Sequence, residues 1–402
     1  MSDFYQTGVI STLHRFPNAK LEKMEAEIKK FQRLQPVTLL LPSLWSEFEG
    51  PAMSRIVEEL KNVKFVRQIV LVLDRADAAQ FRAARERLAG MACPVKVLWN
   101  DGPRLGELYA LLEKSNIRCG TPGKGRTVWI GLGLILAEEK SYAIALHDCD
   151  IVTYGRELLA RLCYPVSNPT MSYEFAKGYY ARVTDRFHGR VTRLFVAPLV
   201  RTLQRMTGYH PFLVFLDSFR YPLAGELAMT TDLARIVRIP SDWGFEIGLL
   251  SEVYRACAPR RICEVDICDA FEHKHQELSA ESPDTGLHRM AVDIAKHLFR
   301  ILASEGVPIS DGFFKSAKAA YLREAQEAIR KYYDDAMING LTCDRHAEAT
   351  AVETFARAVD LAARSVLEDP LGAPLIPNWN RVVSAIPDFF ERLLRAVEED
   401  NR

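Results

Sequence analysis

The chain has 402 residues, 48% hydrophobic and 26% charged, enough for a catalytic domain with an appendage, since single cores rarely grow past roughly 250–300 residues. Its 52 basic and 52 acidic side chains cancel and form no long like-charge run, which argues against nucleic acid as a partner. Eight scattered cysteines without a Cys-x-x-Cys, no basic-then-apolar leader in Met1–Ala19 and no apolar stretch of about 18 residues argue against a disulfide frame, a zinc site and a membrane span, so the protein reads as soluble and cytoplasmic.

Leu21–Leu34 has helical spacing and is stopped by Gln35–Pro36. Val37–Pro42 is a short continuous apolar run, the mark of a strand buried on both faces, and Pro51 opens the helix that follows. Val66–Leu73 is the next strand and ends in Asp74; a helix through Ala78–Ala89 and a strand at Pro94–Trp99 come after it. This alternation predicts a doubly wound, mostly parallel α/β sheet, whose ligands bind beyond the carboxyl ends of the strands. Pro42–Trp45, Asp74–Arg75, Asn100–Asp101 and Asp148–Asp150 all gather at that edge.

Ala143–Ile151 reads as a strand that ends in two carboxylates, Asp148 and Asp150. Side chains two apart in extended chain point the same way, and hard oxygens of this kind suit Mg²⁺ or Mn²⁺ together with a diphosphate. The plain alternative is a pair of caps for the next turn. Ahead of it, Gly120–Arg126 opens a helix running to about Glu139; its glycines and Lys124 suit a phosphate, or simply a helix-entry turn.

Met171–Arg182 is strand-like, and Gly189, Arg190 and Thr192 precede an apolar helix at Leu194–Met206, either as a second anion site or as an N-cap with a solvent-facing arginine. Arg220–Glu226 reads as a loop with glycine ahead of a helix. Glu246 is a lone acid in the apolar helix Phe245–Val253, functional if buried and unremarkable if exposed. After a strand at Ile262–Ile267 come His273 and His275, of which His273 is placed to reach the same metal as Asp150. From Ser282 on the periodicity is helical, at Leu287–Ser304, Gly312–Met337, Arg345–Glu368 and Val382–Glu399. Three segments are therefore expected: helical 1–35, an α/β domain over 36–281 that divides at about 150, and a helical subdomain over 282–402.

Seven short motifs occur in order: Leu-Pro-Ser-Leu at Leu41–Leu44, Gly-Lys-Gly at Gly123–Gly125, Asp-Cys-Asp at Asp148–Asp150, Gly-Arg-Val-Thr at Gly189–Thr192, Pro-Leu-Ala-Gly-Glu at Pro222–Glu226, Trp-Gly-Phe-Glu-Ile-Gly at Trp243–Gly248 and Glu-His-Lys-His at Glu272–His275. On these motifs the chain resembles the retaining glycosyltransferases that make glucosyl-3-phosphoglycerate, over roughly Pro36 to Glu277. The resemblance implies a GT-A fold, Rossmann-like, with a C-terminal helical extension, and as partners a nucleotide-sugar donor, a 3-phosphoglycerate acceptor and a second copy of the chain in a homodimer. It implies that Pro42, Ser43 and Leu44 line the base and ribose, with Glu47, Asp74 and Gly225 in the same nucleotide-sugar pocket. Lys124 and Asp148 would meet the nucleotide sugar, Asp150 and His273 would ligate Mg²⁺ or Mn²⁺, and Gly189, Arg190, Val191, Thr192, Trp243 and His275 would hold the acceptor. Glu246 would face the sugar and the acceptor hydroxyl, making Glu246, Asp148 and Lys124 the catalytic set.

Two departures stand out: Trp45-Ser46-Glu47 replaces a familiar Asn-Glu-Glu, leaving UDP against GDP open, and His275 stands where an amide is familiar. Rival readings are the same chemistry with a mannose donor or unphosphorylated glycerate, a sugar-phosphate nucleotidyltransferase, and a non-catalytic nucleotide-sugar-binding protein. Against the nucleotidyltransferase reading, this chain has no glycine-rich, arginine-containing loop straight after its first strand.

Overall fold

The computed structural model describes Gln6, residues 8–272 and residues 286–402. Eight strands form one sheet: β1 (Ser11–Leu13), β2 (Val37–Leu44), β3 (Gln68–Asp74), β4 (Val95–Trp99), β5 (Ala143–Leu146), β6 (Phe175–Tyr180), β7 (Leu227–Thr230) and β8 (Ile262–Cys268), in the order β1-β8-β6-β7-β5-β2-β3-β4. Every neighbouring pair is parallel except β5 with β7 and β6 with β7. Helices cover both faces, which is why β2 and β3 are buried almost throughout and read as continuous apolar runs.

From β2 the chain builds outward to β4, then returns to lay β5 on the other side of β2. That reversal opens a crevice beyond the carboxyl ends of β2 and β5, where ligands of open α/β sheets bind. The helix Lys124–Glu138 lies over this point and is apolar nearly all round because it is enclosed. A Cβ on Gly131 would lie 2.6 Å from Leu40 of β2, and one on Gly133 would lie 2.1 Å from the ring of Trp379. The helix is thus pressed on the sheet by one glycine and on the C-terminal extension by the other.

The extension comprises the helices Gly286–Ser304, Asp311–Ile338, Arg345–Glu368, Trp379–Ala385 and Phe389–Asp400. It shares one hydrophobic core with the sheet, and Trp379 stacks on Trp129 at 4.2 Å between ring centroids, while the Trp129 indole donates to the Pro377 carbonyl at 2.9 Å. At the far edge of the sheet the Asn401 side chain pairs with the Val97 backbone of β4, its Nδ2 donating to the carbonyl at 2.7 Å and its Oδ1 accepting from the amide at 3.2 Å.

Several expectations need correction. The first 35 residues are not helical alone: β1 joins β8 as an edge strand, too short to carry a periodic signal. β5 stops at Leu146, so Asp148 and Asp150 sit on the loop after the strand rather than at its last residues. The loop before Glu226 leads into β7, a four-residue strand wedged antiparallel into the sheet, before any helix. The last helix divides around Pro387 into two. The boundary expected near Glu281–Pro283 lies outside the described residues.

Replacing Trp379 by Ala removes the stacked partner of Trp129 from a fully buried site, and a loss of about 3–5 kcal/mol in unfolding free energy, read from urea melts, is expected.

Candidate active site

At the crevice the Lys124 ammonium is held between two carboxylates, donating to Asp148 Oδ2 at 2.8 Å and to Glu246 Oε1 at 3.1 Å. Each partner comes from a different element: Lys124 is the first residue of its helix, Asp148 lies on the loop after β5, and Glu246 starts the helix Phe245–Ala256. Gly123 and Gly125 let the Lys124 helix begin close to the neighbouring backbone, since a Cβ on Gly125 would lie 1.9 Å from the Pro240 carbonyl. Burial works against the Lys124 charge, but Asp148 and Glu246 outweigh it and hold the ammonium pKa above its ordinary value. Glu246, the lone acid of the sequence reading, is 7% exposed and paired.

Gly225 completes the wall, because a Cβ there would lie 2.1 Å from Asp148 Oδ2 and 3.0 Å from Lys124 Nζ. Behind it stand three residues to which the sequence reading gave no role. Glu226, 1% exposed, accepts from the Tyr180 hydroxyl at 2.7 Å, and Lys177, also 1% exposed, donates to the Ala224 carbonyl at 2.7 Å. Burial, and then the charge of Asp148, push both Asp150 and Glu226 up to about 7, whereas burial pulls Lys177 down to about 8. A lysine inside a short apolar strand and a glutamate straight after a glycine were the available signals.

Two lysines therefore face four carboxylates, Asp148, Asp150, Glu226 and Glu246, with Glu47 near enough to add to the load on Asp150. This excess of negative charge, carried by hard oxygens, fits a divalent cation such as Mg²⁺ or Mn²⁺. Among the described residues no cluster of three His, Cys, Asp or Glu side chains forms a ready ligand set. His273 and His275 lie outside the described residues. The described chain runs up to Glu272, whose carbonyl accepts from Val152 N at 2.8 Å and whose amide donates to Thr153 Oγ1 at 3.0 Å, just past Asp150.

The remaining expected residues divide. Pro42, Ser43 and Leu44 end β2 beside Val72, Leu73 and Asp74 of β3, and Glu47 sits in the short turn Trp45–Glu49 that follows. Asp74 is already engaged: Asn100 Nδ2 donates to one oxygen and Thr127 Oγ1 to the other, while burial holds its carboxyl above the usual range. It ties β3 to the Lys124 helix. Gly189 adopts φ +71° ahead of the π-helical turn Val191–Val196, in which Val191 and Thr192 are buried. Arg190 is paired with Glu348 of the extension at 2.8 Å. Trp243 is 41% exposed on the loop that leads to Glu246.

Lys177 gives a pH test with a definite sign. Its folded pKa lies below that of an unfolded lysine, so between about pH 8 and 10 the unfolded chain binds more protons and this residue makes stability rise with pH, by up to about 1.4 kcal/mol per unit; below that window the contribution is lost. The difference in unfolding free energy between wild type and Lys177→Met, measured across this range, should show that slope.

Comparison with protein-family models finds no match. The chain is 51% identical over 401 residues, covering 100% of itself and 99% of the relative, to a glucosyl-3-phosphoglycerate synthase of Persephonella marina. It is 40% identical over 403 residues to the protein of that name from Methanococcoides burtonii, covering 99% and 98% of the two chains. In structure it is similar to the Mycobacterium tuberculosis glucosyl-3-phosphoglycerate synthase solved with Mn²⁺, UDP-glucose and phosphoglyceric acid, at TM-score 0.53 and 20% identity over 75% of this chain and 90% of that one. The same enzyme with Mg²⁺ and UDP gives 0.52 at 20% identity over 75% and 89%. The chain belongs to the glucosyl-3-phosphoglycerate synthase family and is a glycosyltransferase of GT-A fold.

Proposed function

We propose that the protein moves glucose from a nucleotide diphosphate, UDP-glucose or GDP-glucose, to the 2-hydroxyl of 3-phosphoglycerate with retention at the anomeric carbon. The observation that carries this reading is the Lys124 ammonium set between Asp148 and Glu246 at the strand-order reversal, in a chain half identical to a relative named for this product. Asp150 and His273 are the proposed ligands of Mg²⁺ or Mn²⁺, a reading supported by the hard oxygen donor and by the hydrogen bonds of Glu272 beside the Asp150 loop. When bound, the ion would offset charge on the diphosphate.

The protein's own groups account for the rest. An ammonium has three N–H donors, and Lys124 spends two on its carboxylates, keeping the third for a diphosphate oxygen. As the bond from the anomeric carbon to the diphosphate breaks, the acceptor oxygen bonds to the same face and its proton passes to the departing phosphate. Glu246 orients that hydroxyl or steadies positive charge on the sugar ring. Gly189, Arg190, Val191, Thr192, Trp243 and His275 are the groups we assign to the anionic acceptor. Pro42, Ser43, Leu44, Glu47, Asp74 and Gly225 form the donor pocket. We assign the protein to the cytoplasm, in keeping with its eight free thiols, and expect a homodimer.

Assays with UDP-glucose, GDP-glucose and GDP-mannose, each against 3-phosphoglycerate and glycerate with Mn²⁺, test this directly. Glucosyl-3-phosphoglycerate with an unchanged anomeric configuration by NMR is expected, and absence of transfer from both glucose donors refutes the proposal. Glu246→Gln should lower kcat about a hundredfold or more with donor KM changed less than threefold. Gly225→Ala should displace Asp148 and cut kcat/KM about a hundredfold while the melting temperature moves little.

A further inference from the structure

The acceptor segment is gripped by the C-terminal extension. Glu348, in the first turn of the helix Arg345–Glu368 and 6% exposed, divides its carboxylate between two arginines: Oε1 accepts from Arg190 Nε at 2.8 Å and Oε2 from Arg193 Nη1 at 2.9 Å. Arg193 is 8% exposed and fixed independently, its Nε donating to the His188 carbonyl at 2.8 Å and its guanidinium lying 4.7 Å from the centre of the Tyr332 ring. The Tyr321 hydroxyl donates to the Leu194 carbonyl at 2.8 Å inside the π-helical turn, and Thr342 N donates to the Asp185 carbonyl at 2.8 Å. Tyr321, Tyr332, Thr342 and Glu348 all belong to the extension.

We infer that Glu348 is a positioning residue for the acceptor, fixing the direction in which Arg190 presents its guanidinium; this rests on the reading of Arg190 as an acceptor-binding group. An arginine held through Nε keeps the edge formed by its two Nη groups for a second partner, and that edge matches the paired oxygens of a phosphate or carboxylate. Arg190 is the more exposed of the two, with 39% of its side chain accessible against 9% for Arg193. Arg193 anchors Glu348, and Glu348 aims Arg190. The carboxylate also offsets part of the charge of the two guanidinium groups, with Asp344 acting on Arg190 as well. A lone arginine at the start of a π-helical turn would sample several rotamers, and binding would have to order it.

The experiment measures acceptor and donor KM, kcat and melting temperature for wild type, Glu348→Gln, Glu348→Asp, Arg190→Ala and the Arg190→Ala/Glu348→Gln double variant. Glu348→Gln should raise the 3-phosphoglycerate KM about tenfold with the donor KM within twofold. In the Arg190→Ala background it should add nothing, because the group it aims is gone. Glu348→Asp, which keeps the charge but falls one methylene short, should give a smaller rise in acceptor KM. An unchanged or lowered acceptor KM in folded Glu348→Gln overturns the inference, since a carboxylate that merely opposed the acceptor's charge would give that result. Parallel changes in donor and acceptor KM overturn it as well, marking a general structural role. Should Glu348→Gln fail to fold, Glu348→Asp decides by the same split. Arg190→Ala with normal acceptor KM would instead refute the assignment of Arg190, a separate failure from that of Glu348.

Discussion

One ammonium between two carboxylates organises the molecule. Lys124, Asp148 and Glu246 come from three elements far apart in the chain, and their two contacts lock a helix start, a strand-end loop and a second helix start around one point. A buried charge persists only when partnered, so the surrounding fold has to deliver all three groups together. The glycines at 125 and 225 serve the same end by letting backbone approach where a side chain would collide. The surplus of carboxylates over lysines leaves hard oxygen donors in the crevice that suit a divalent cation.

Much of this was legible in the residues. Long, periodic or continuously apolar stretches announced most strands and helices; Lys124 stood out in a glycine-rich helix-entry loop, Asp148 past the end of an apolar strand, and Glu246 as a lone acid in an apolar helix. That they form one cluster was beyond a linear reading, because their proximity depends on the placement of β5 beside β2. β1 and β7 escaped notice for want of length: three or four residues carry no period. Lys177 is the one charged residue in the strand Phe175–Tyr180, and its burial follows from neighbouring elements that a linear reading does not place. Asp74, read from the sequence as part of the donor pocket, also makes a structural tie that the sequence does not announce, since Asn100 and Thr127 donate to its two oxygens.

The extension after Gly286 carries no obvious chemistry in its sequence, and its importance lies in what it touches. Trp379 backs the helix that presents Lys124, while Tyr321 and Glu348 back the segment that carries Arg190. One C-terminal helical block thereby backs both the Lys124 helix and the Arg190 segment. Rigid support of this kind reduces the ordering that substrates must otherwise impose.

Both ends of the chain close the same sheet. Ser11–Leu13 covers one margin by pairing with β8, and the Asn401 side-chain amide imitates a neighbouring strand on Val97 at the opposite margin. Exposed strand margins invite pairing between molecules, and these terminal residues blunt them. During synthesis the amino-terminal strand emerges first but must wait for its partner some two hundred and fifty residues later, and β4 waits longer still for Asn401. Completion of the sheet therefore rests on contacts of long sequence separation, the kind whose loop-closure entropy must be met before they stabilise the fold.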